Sequence, residues 1–186
     1  GLVECGVGLV PAWGGCKEPL ARWSTPGRLP RGPMPPPGKV VEMISTATVS
    51  KSAAQAREML ILREGDRITM NRDRLLADAK ARALELAEGY APPEHVELTL
   101  PGPSGKTAMV MAAESFHKRG IATDHDLVVS SGLAQVLSGG DADPTAPASE
   151  KDVLRQEREV FMHLARPPGT LARIEHMLLT GKPLRN

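Results

Sequence analysis

The sequence is short of aromatic side chains: Trp13, Trp23, Tyr90, Phe116 and Phe161 are the whole complement. Any core is therefore aliphatic, built from Leu, Val, Ile, Ala and Met. Cysteine is equally scarce, with Cys5 and Cys16 in one glycine-rich segment. Two thiols make no disulfide framework, and no third or fourth ligand lies nearby for a zinc site. They read as reduced thiols in a cytoplasmic protein. An excess of charge is also missing. With 23 basic against 22 acidic residues, no field draws in nucleic acid or an anionic membrane. No apolar run approaches the ~20 residues that span a bilayer, and no charged-apolar-small leader opens the chain. Gly1 stands where an initiator Met would, and the residues after it read as domain interior, as in a fragment or a processed product.

What is present is enough for one domain with a real core. Residues 1–15, GLVECGVGLVPAWGG, mix apolar residues and glycines without a helical period and predict irregular backbone. A short helix is expected through Cys16–Trp23, since Pro19 falls in a first turn that has no intrahelical use for its N–H groups. Residues 24–38 hold six prolines and three glycines and predict an extended loop. Helices follow at 39–47 and at 52–60, the second opened by a Ser52-x-x-Gln55 capping box. An extended piece, Arg67–Met70, precedes a helix over 72–88 capped by Asn71. Its Leu75, Leu76, Ala79, Ala83 and Leu86 keep the i, i+3, i+4, i+7 rule and form one apolar face. The alternating 96–100 stretch predicts a strand. Four further helices are expected: Lys106–Lys118, burying Met109, Ala112, Ala113 and Phe116; Asp124–Leu137; 150–165, with the stripe Val153, Leu154, Val160, Phe161 and Leu164; and 169–180, with Leu171, Ile174, Met177 and Leu178. Residues 140–148 read as a linker. The chain is mostly α with little strand.

The opening segment carries a family resemblance. Glu4, Gly8, Pro11, Gly14 and Gly15 fall in register with the Pro-Glu-x-x-x-Gly-x-x-Pro-Gly-x-Gly-Gly-Thr run of enoyl-CoA hydratases of the crotonase superfamily. Ser52–Arg57 resembles the family's next short helix. Glu157–Phe161 and the ending from His176 to Pro183 resemble its last helices. The tail GKPLRN looks most like bacterial chains that fuse a 3-hydroxyacyl-CoA dehydrogenase to a C-terminal hydratase. The resemblance covers residues 1–90, as the C-terminal half of a crotonase-like core, and 148–186, as a C-terminal helical segment. Between them, 91–147 looks like a helical insertion.

The resemblance implies a fold class, the C-terminal portion of an α/β crotonase-like fold truncated at its N-terminal side. It also implies a chemistry. Hydrating a trans-2-enoyl thioester takes an acid for Cα, a base for water and donors for the enolate oxygen. Glu4 matches the glutamate that exchanges the proton at Cα. Ala12 stands where the family has a glycine whose N–H holds the reacting water, a role that survives in Ala at negative φ. Gly14 and Gly15 complete the substrate- and water-binding loop. Lys182 matches a lysine that reaches coenzyme A phosphates, although a lysine closing a helix also serves its carbonyls and dipole.

There are departures: Val3 replaces the family's Pro and Cys16 its Thr. The first glutamate and the oxyanion N–H pair belong upstream of Gly1, so this chain alone is expected to be inactive and to need the upstream half of its domain. An acyl-CoA thioester is the implied substrate, with NAD entering only through a parent dehydrogenase module. The implied partner is a second copy, in a trimer or other homo-oligomer built through the C-terminal helices.

Two readings from other classes stand beside this one. A noncatalytic helical interaction module would make Glu4 an incidental surface carboxylate. A nucleotide binder would use Gly105-Lys106-Thr107 after 96–100, but a phosphate loop needs its first glycine five residues before the second, where Leu100 stands. The histidines at 95, 117, 125, 163 and 176 pair with nothing at metal-ligand spacing and are assigned to surface or packing.

Overall fold

The computed structural model describes all 186 residues. The chain separates into two compact units, residues 1–49 with 96–186, and residues 50–95. The three segments expected from sequence, 1–90, 91–147 and 148–186, do not coincide with these units.

In the larger unit, a 3-10 turn at Glu4–Val7 leads to α1 (Lys17–Trp23) and α2 (Pro35–Ser45). The predicted loop ends sooner than expected, because Pro35, Pro36 and Pro37 form the first turn of α2. Helix N-termini leave their first N–H groups unpaired, so three residues without an N–H cost nothing there. After the smaller unit come β1 (Glu97–Thr99), α5 (Gly102–Lys118), α6 (Asp124–Ser138), β2 (Pro147–Ser149), α7 (Glu150–Leu164) and α8 (Pro168–Thr180). β2 begins inside the predicted linker, 140–148, and runs one residue past it. It pairs antiparallel with β1, Leu98 opposite Ala148, although Pro-Ala-Ser carries no alternating apolar pattern.

α6 is the central helix, packed against α5, α7, α2 and the Glu4–Val7 turn. It buries Val129, Leu133, Ala134, Val136 and Leu137 against Val10, Leu20, Val40, Ile44, Val153 and Leu164. Both ends are well made. Thr123 and Asp126 form a reciprocal capping box, and Gly139 closes the helix in the left-handed conformation. α7 repeats the device with Ser149 and Asp152.

α5 starts four residues earlier than Lys106 and buries Gly102, Gly105 and Met109. Contrary to expectation, Ala112 and Phe116 are exposed. The Phe116 ring instead carries the Arg119 guanidinium, 4.7 Å from its centroid. Because 102–105 are already helical, no loop remains before Lys106 to wrap a phosphate.

In the smaller unit, α3 (Ala53–Glu58) is capped by the Ser52 hydroxyl, which accepts from the Gln55 N–H at 3.1 Å. The Gln55 side chain accepts from Lys51 rather than from Ser52, so the expected box is half formed. Asn71 caps a 3-10 turn at Arg72–Arg74 that runs into α4 (Leu75–Ala87). The expected apolar face of α4 exists but nothing covers it: Leu76 is 83 % exposed and α4 buries no residue.

Candidate functional site

Glu4 sits at the start of the 3-10 turn, with its Oε2 buried and without a hydrogen-bond partner. Native proteins leave few buried polar atoms in this condition. The turn beneath it is held at both carbonyl ends by side chains from α8. Thr170, fully buried, donates its hydroxyl to the Gly8 carbonyl at 3.1 Å. Arg173, 2 % exposed, reaches the Cys5 carbonyl at 3.4 Å.

Each of these two is backed by α6. Thr170 Oγ1 lies 2.8 Å from His125 Nε2. Because its own proton goes to Gly8, it accepts, and His125 carries its hydrogen on Nε2. Arg173 pairs with Asp126 at 2.8 Å and donates to Thr123 at 3.0 Å and to Asn186 Oδ1 at 2.7 Å. Burial pushes the His125 imidazole below its usual range, and the nearby Arg173 pushes the same way. Burial would raise Asp126, but the Thr123 backbone N–H and Arg173 outweigh it and hold the carboxyl low. Gly8 must be glycine here. It has φ +86, and a Cβ would strike Thr170 and His125.

The loop that follows is held from its other side by α7. Glu157, fully buried, accepts the N–H groups of Gly14 (2.6 Å), Cys16 (2.9 Å) and Lys17 (2.6 Å). The Cys16 and Lys17 N–H groups are donors that the start of α1 leaves unsatisfied, the Gly14 N–H belongs to the loop before it, and α1 carries no side-chain cap of its own. Burial raises Glu157, while the three N–H donors and Lys17 pull the other way. Lys17 also pairs with Glu18 and with Glu150, the latter at 3.0 Å. Burial alone would lower it, but those carboxylates outweigh burial and raise it.

Both thiols are buried and inert. Burial pushes Cys5 up to about 12, with Glu4 adding to the effect. Cys16 is raised well above the thiol range by burial, then by Glu157, Cys5 and Glu4. Its Sγ lies 3.2 Å from the Pro11 carbonyl. Glu4 thus stands within electrostatic reach of the loop that Glu157 holds.

The chain is 42% identical over 189 aligned positions to a Bacillus subtilis (strain 168) protein named probable 3-hydroxyacyl-CoA dehydrogenase. All of this chain aligns, with 23% of that protein, so the chain spans about a quarter of that relative's length. No family model matches the sequence. No solved structure matches it.

The structure brings four of the five sequence-predicted site residues into one segment. Glu4 lies on the turn, and Ala12, Gly14 and Gly15 on the loop that Glu157 holds. The Gly14 N–H is taken up by Glu157, and Gly15 packs so closely on Pro11 that a Cβ has no room. Ala12 keeps negative φ, and the left-handed conformation falls on Trp13 instead. Lys182 lies beyond α8, exposed, with its backbone N–H on Thr180.

Sequence reasoning missed Glu157, Thr170, Arg173 and the structural role of His125. One signal pointed to one of them: Glu157 interrupts the stripe of Val153, Leu154, Val160 and Phe161 at helical spacing, where a charge survives only with partners. No group of three His, Cys, Asp or Glu is placed to hold a metal ion, and no helix is long and apolar enough to cross a membrane.

Proposed function

We propose that this chain carries the Cα-acid half of an enoyl-CoA hydratase site, within a polypeptide of fatty-acid β-oxidation. One observation carries the reading: Glu4 presents a buried, unpartnered carboxylate oxygen on a turn gripped by buried polar side chains from α8. Such fixation suits an acid that must meet one carbon atom. The relative's name supports the pathway. A 3-hydroxyacyl-CoA, the substrate class in that name, is what hydration of a trans-2-enoyl-CoA produces.

In this reading water adds its oxygen to Cβ and loses a proton to a second carboxylate from the upstream half of the domain. The electron pair of the double bond moves toward the thioester oxygen, held there by upstream N–H donors. Glu4 then gives its proton to Cα, and the Ala12 N–H orients the water. The fold proposed is the C-terminal portion of a crotonase-like α/β domain. NAD belongs to a dehydrogenase module elsewhere in the polypeptide, and Lys182 is assigned to the coenzyme A phosphates. Exposed Leu171, Leu178 and Leu179 on α8 suit contact with a second copy.

The test is hydration of crotonyl-CoA, followed as loss of the enoyl-thioester absorbance, by the full-length protein. Glu4→Gln is expected to lower kcat by about 10²-fold or more, as loss of a general acid does, and this chain alone is expected to be silent. Full activity in the variant overturns the reading.

A further inference from the structure

Trp13 combines two unfavourable conditions. Its φ is +65, a left-handed conformation that is a genuine outlier for a bulky side chain and is strained. Its side chain is also 96 % exposed, so the largest apolar side chain there is gains nothing from burial. The residues around it are fixed. The next N–H is held by Glu157, Cys16 lies against the Pro11 carbonyl, and Gly15 packs on Pro11. The indole projects from this tight loop into solvent. Trp13 directly follows Ala12, the residue assigned to orient the water, and a glycine at 13 would relieve the strain at once. Strained backbone that persists in a rigid loop is a pointer to function.

We propose that Trp13 is a specificity-determining residue, its indole forming an apolar wall for the fatty acyl chain of the thioester. The inference rests on the hydratase reading of Glu4 and names what else that site recognises. A flat, rigid indole gives large contact area at little entropic cost, and its contribution grows with chain length only as far as the ring extends. Loop and ring are thus a ruler as well as a wall.

The test uses the full-length protein with crotonyl-CoA and trans-2-hexadecenoyl-CoA. Trp13→Gly, which removes the ring and relieves the strain, is expected to shift the ratio of kcat/KM between the two substrates by about 10-fold. Ring loss weighs more heavily on the long one, because more of its CH₂ groups lose apolar contact. Trp13→Phe is expected to restore most of that ratio. The emission difference between wild type and Trp13→Phe gives a second readout, expected to shift to the blue when hexadecanoyl-CoA binds. An unchanged ratio overturns the proposal, as does a difference spectrum already blue without ligand, which would place a segment of protein over Trp13. If Glu4→Gln is fully active, the hydratase reading itself has failed, and that outcome is separate from either of these.

Discussion

Glu157 has no solvent, three backbone N–H donors and a single job in the geometry. It replaces the cap that α1 lacks and fixes the loop running from Pro11 to Lys17. Glu157→Ala strands three donors at a cost of about 1–3 kcal/mol for each left buried and unmade. The expected loss is therefore about 3 kcal/mol or more, read as a fall in the urea midpoint at unchanged slope. Glu157→Gln keeps one acceptor but turns an NH₂ toward an N–H, and is expected to fall between wild type and Ala. A variant as stable as wild type would mean that the loop holds itself. At this scale Glu4, Ala12, Gly14 and Gly15 were named through a family resemblance, which a glycine-rich loop can carry because its pattern is local to one stretch of chain. Glu157 lies 140 to 143 residues from the groups it binds, and no local pattern records that partnership.

Elements were legible where periodicity and capping agree and obscure where pairing is non-local. α6 and α7 begin and end as their capping boxes and apolar stripes dictate. β2 escaped notice because three residues acquire strand geometry from β1 rather than from their own side chains. α4 shows the opposite failure. Its stripe is real, but the pattern says only that a face wants cover, and nothing within its unit supplies it.

α8 is the most instructive element, since it buries Thr170 and Arg173 rather than its leucines. Behind its grip on the Glu4 turn lies His125, which burial and the nearby Arg173 hold neutral. The folded state holds His125 below its ordinary value of 6.5, so the unfolded chain binds the proton first as pH falls. Stability is therefore fully present above about pH 6.5 and is lost as pH drops toward the lower folded value. Urea midpoints measured from pH 7.5 down to 5 should fall more steeply in wild type than in His125→Gln, which can still donate to Thr170. Parallel curves would show that His125 does not titrate across folding.

For the whole molecule, the account makes this chain one side of a site. Two buried networks, one joining α6 to α8 and one from Glu157 of α7, hold the Glu4 turn and its loop in place, and in the proposed function the partner groups come from elsewhere in a longer polypeptide. Composition and resemblance made the aliphatic, mostly helical character readable. The partition into residues 1–49 with 96–186 and residues 50–95 was not, because it depends on which helices share a core. The central claim is that Glu4 delivers the proton to Cα. The most direct measurement is incorporation of deuterium from D₂O at Cα while the full-length protein interconverts 3-hydroxybutyryl-CoA and crotonyl-CoA. The account predicts rapid labelling by wild type and labelling slowed by about 10²-fold or more in Glu4→Gln. Labelling at the wild-type rate in that variant would contradict it.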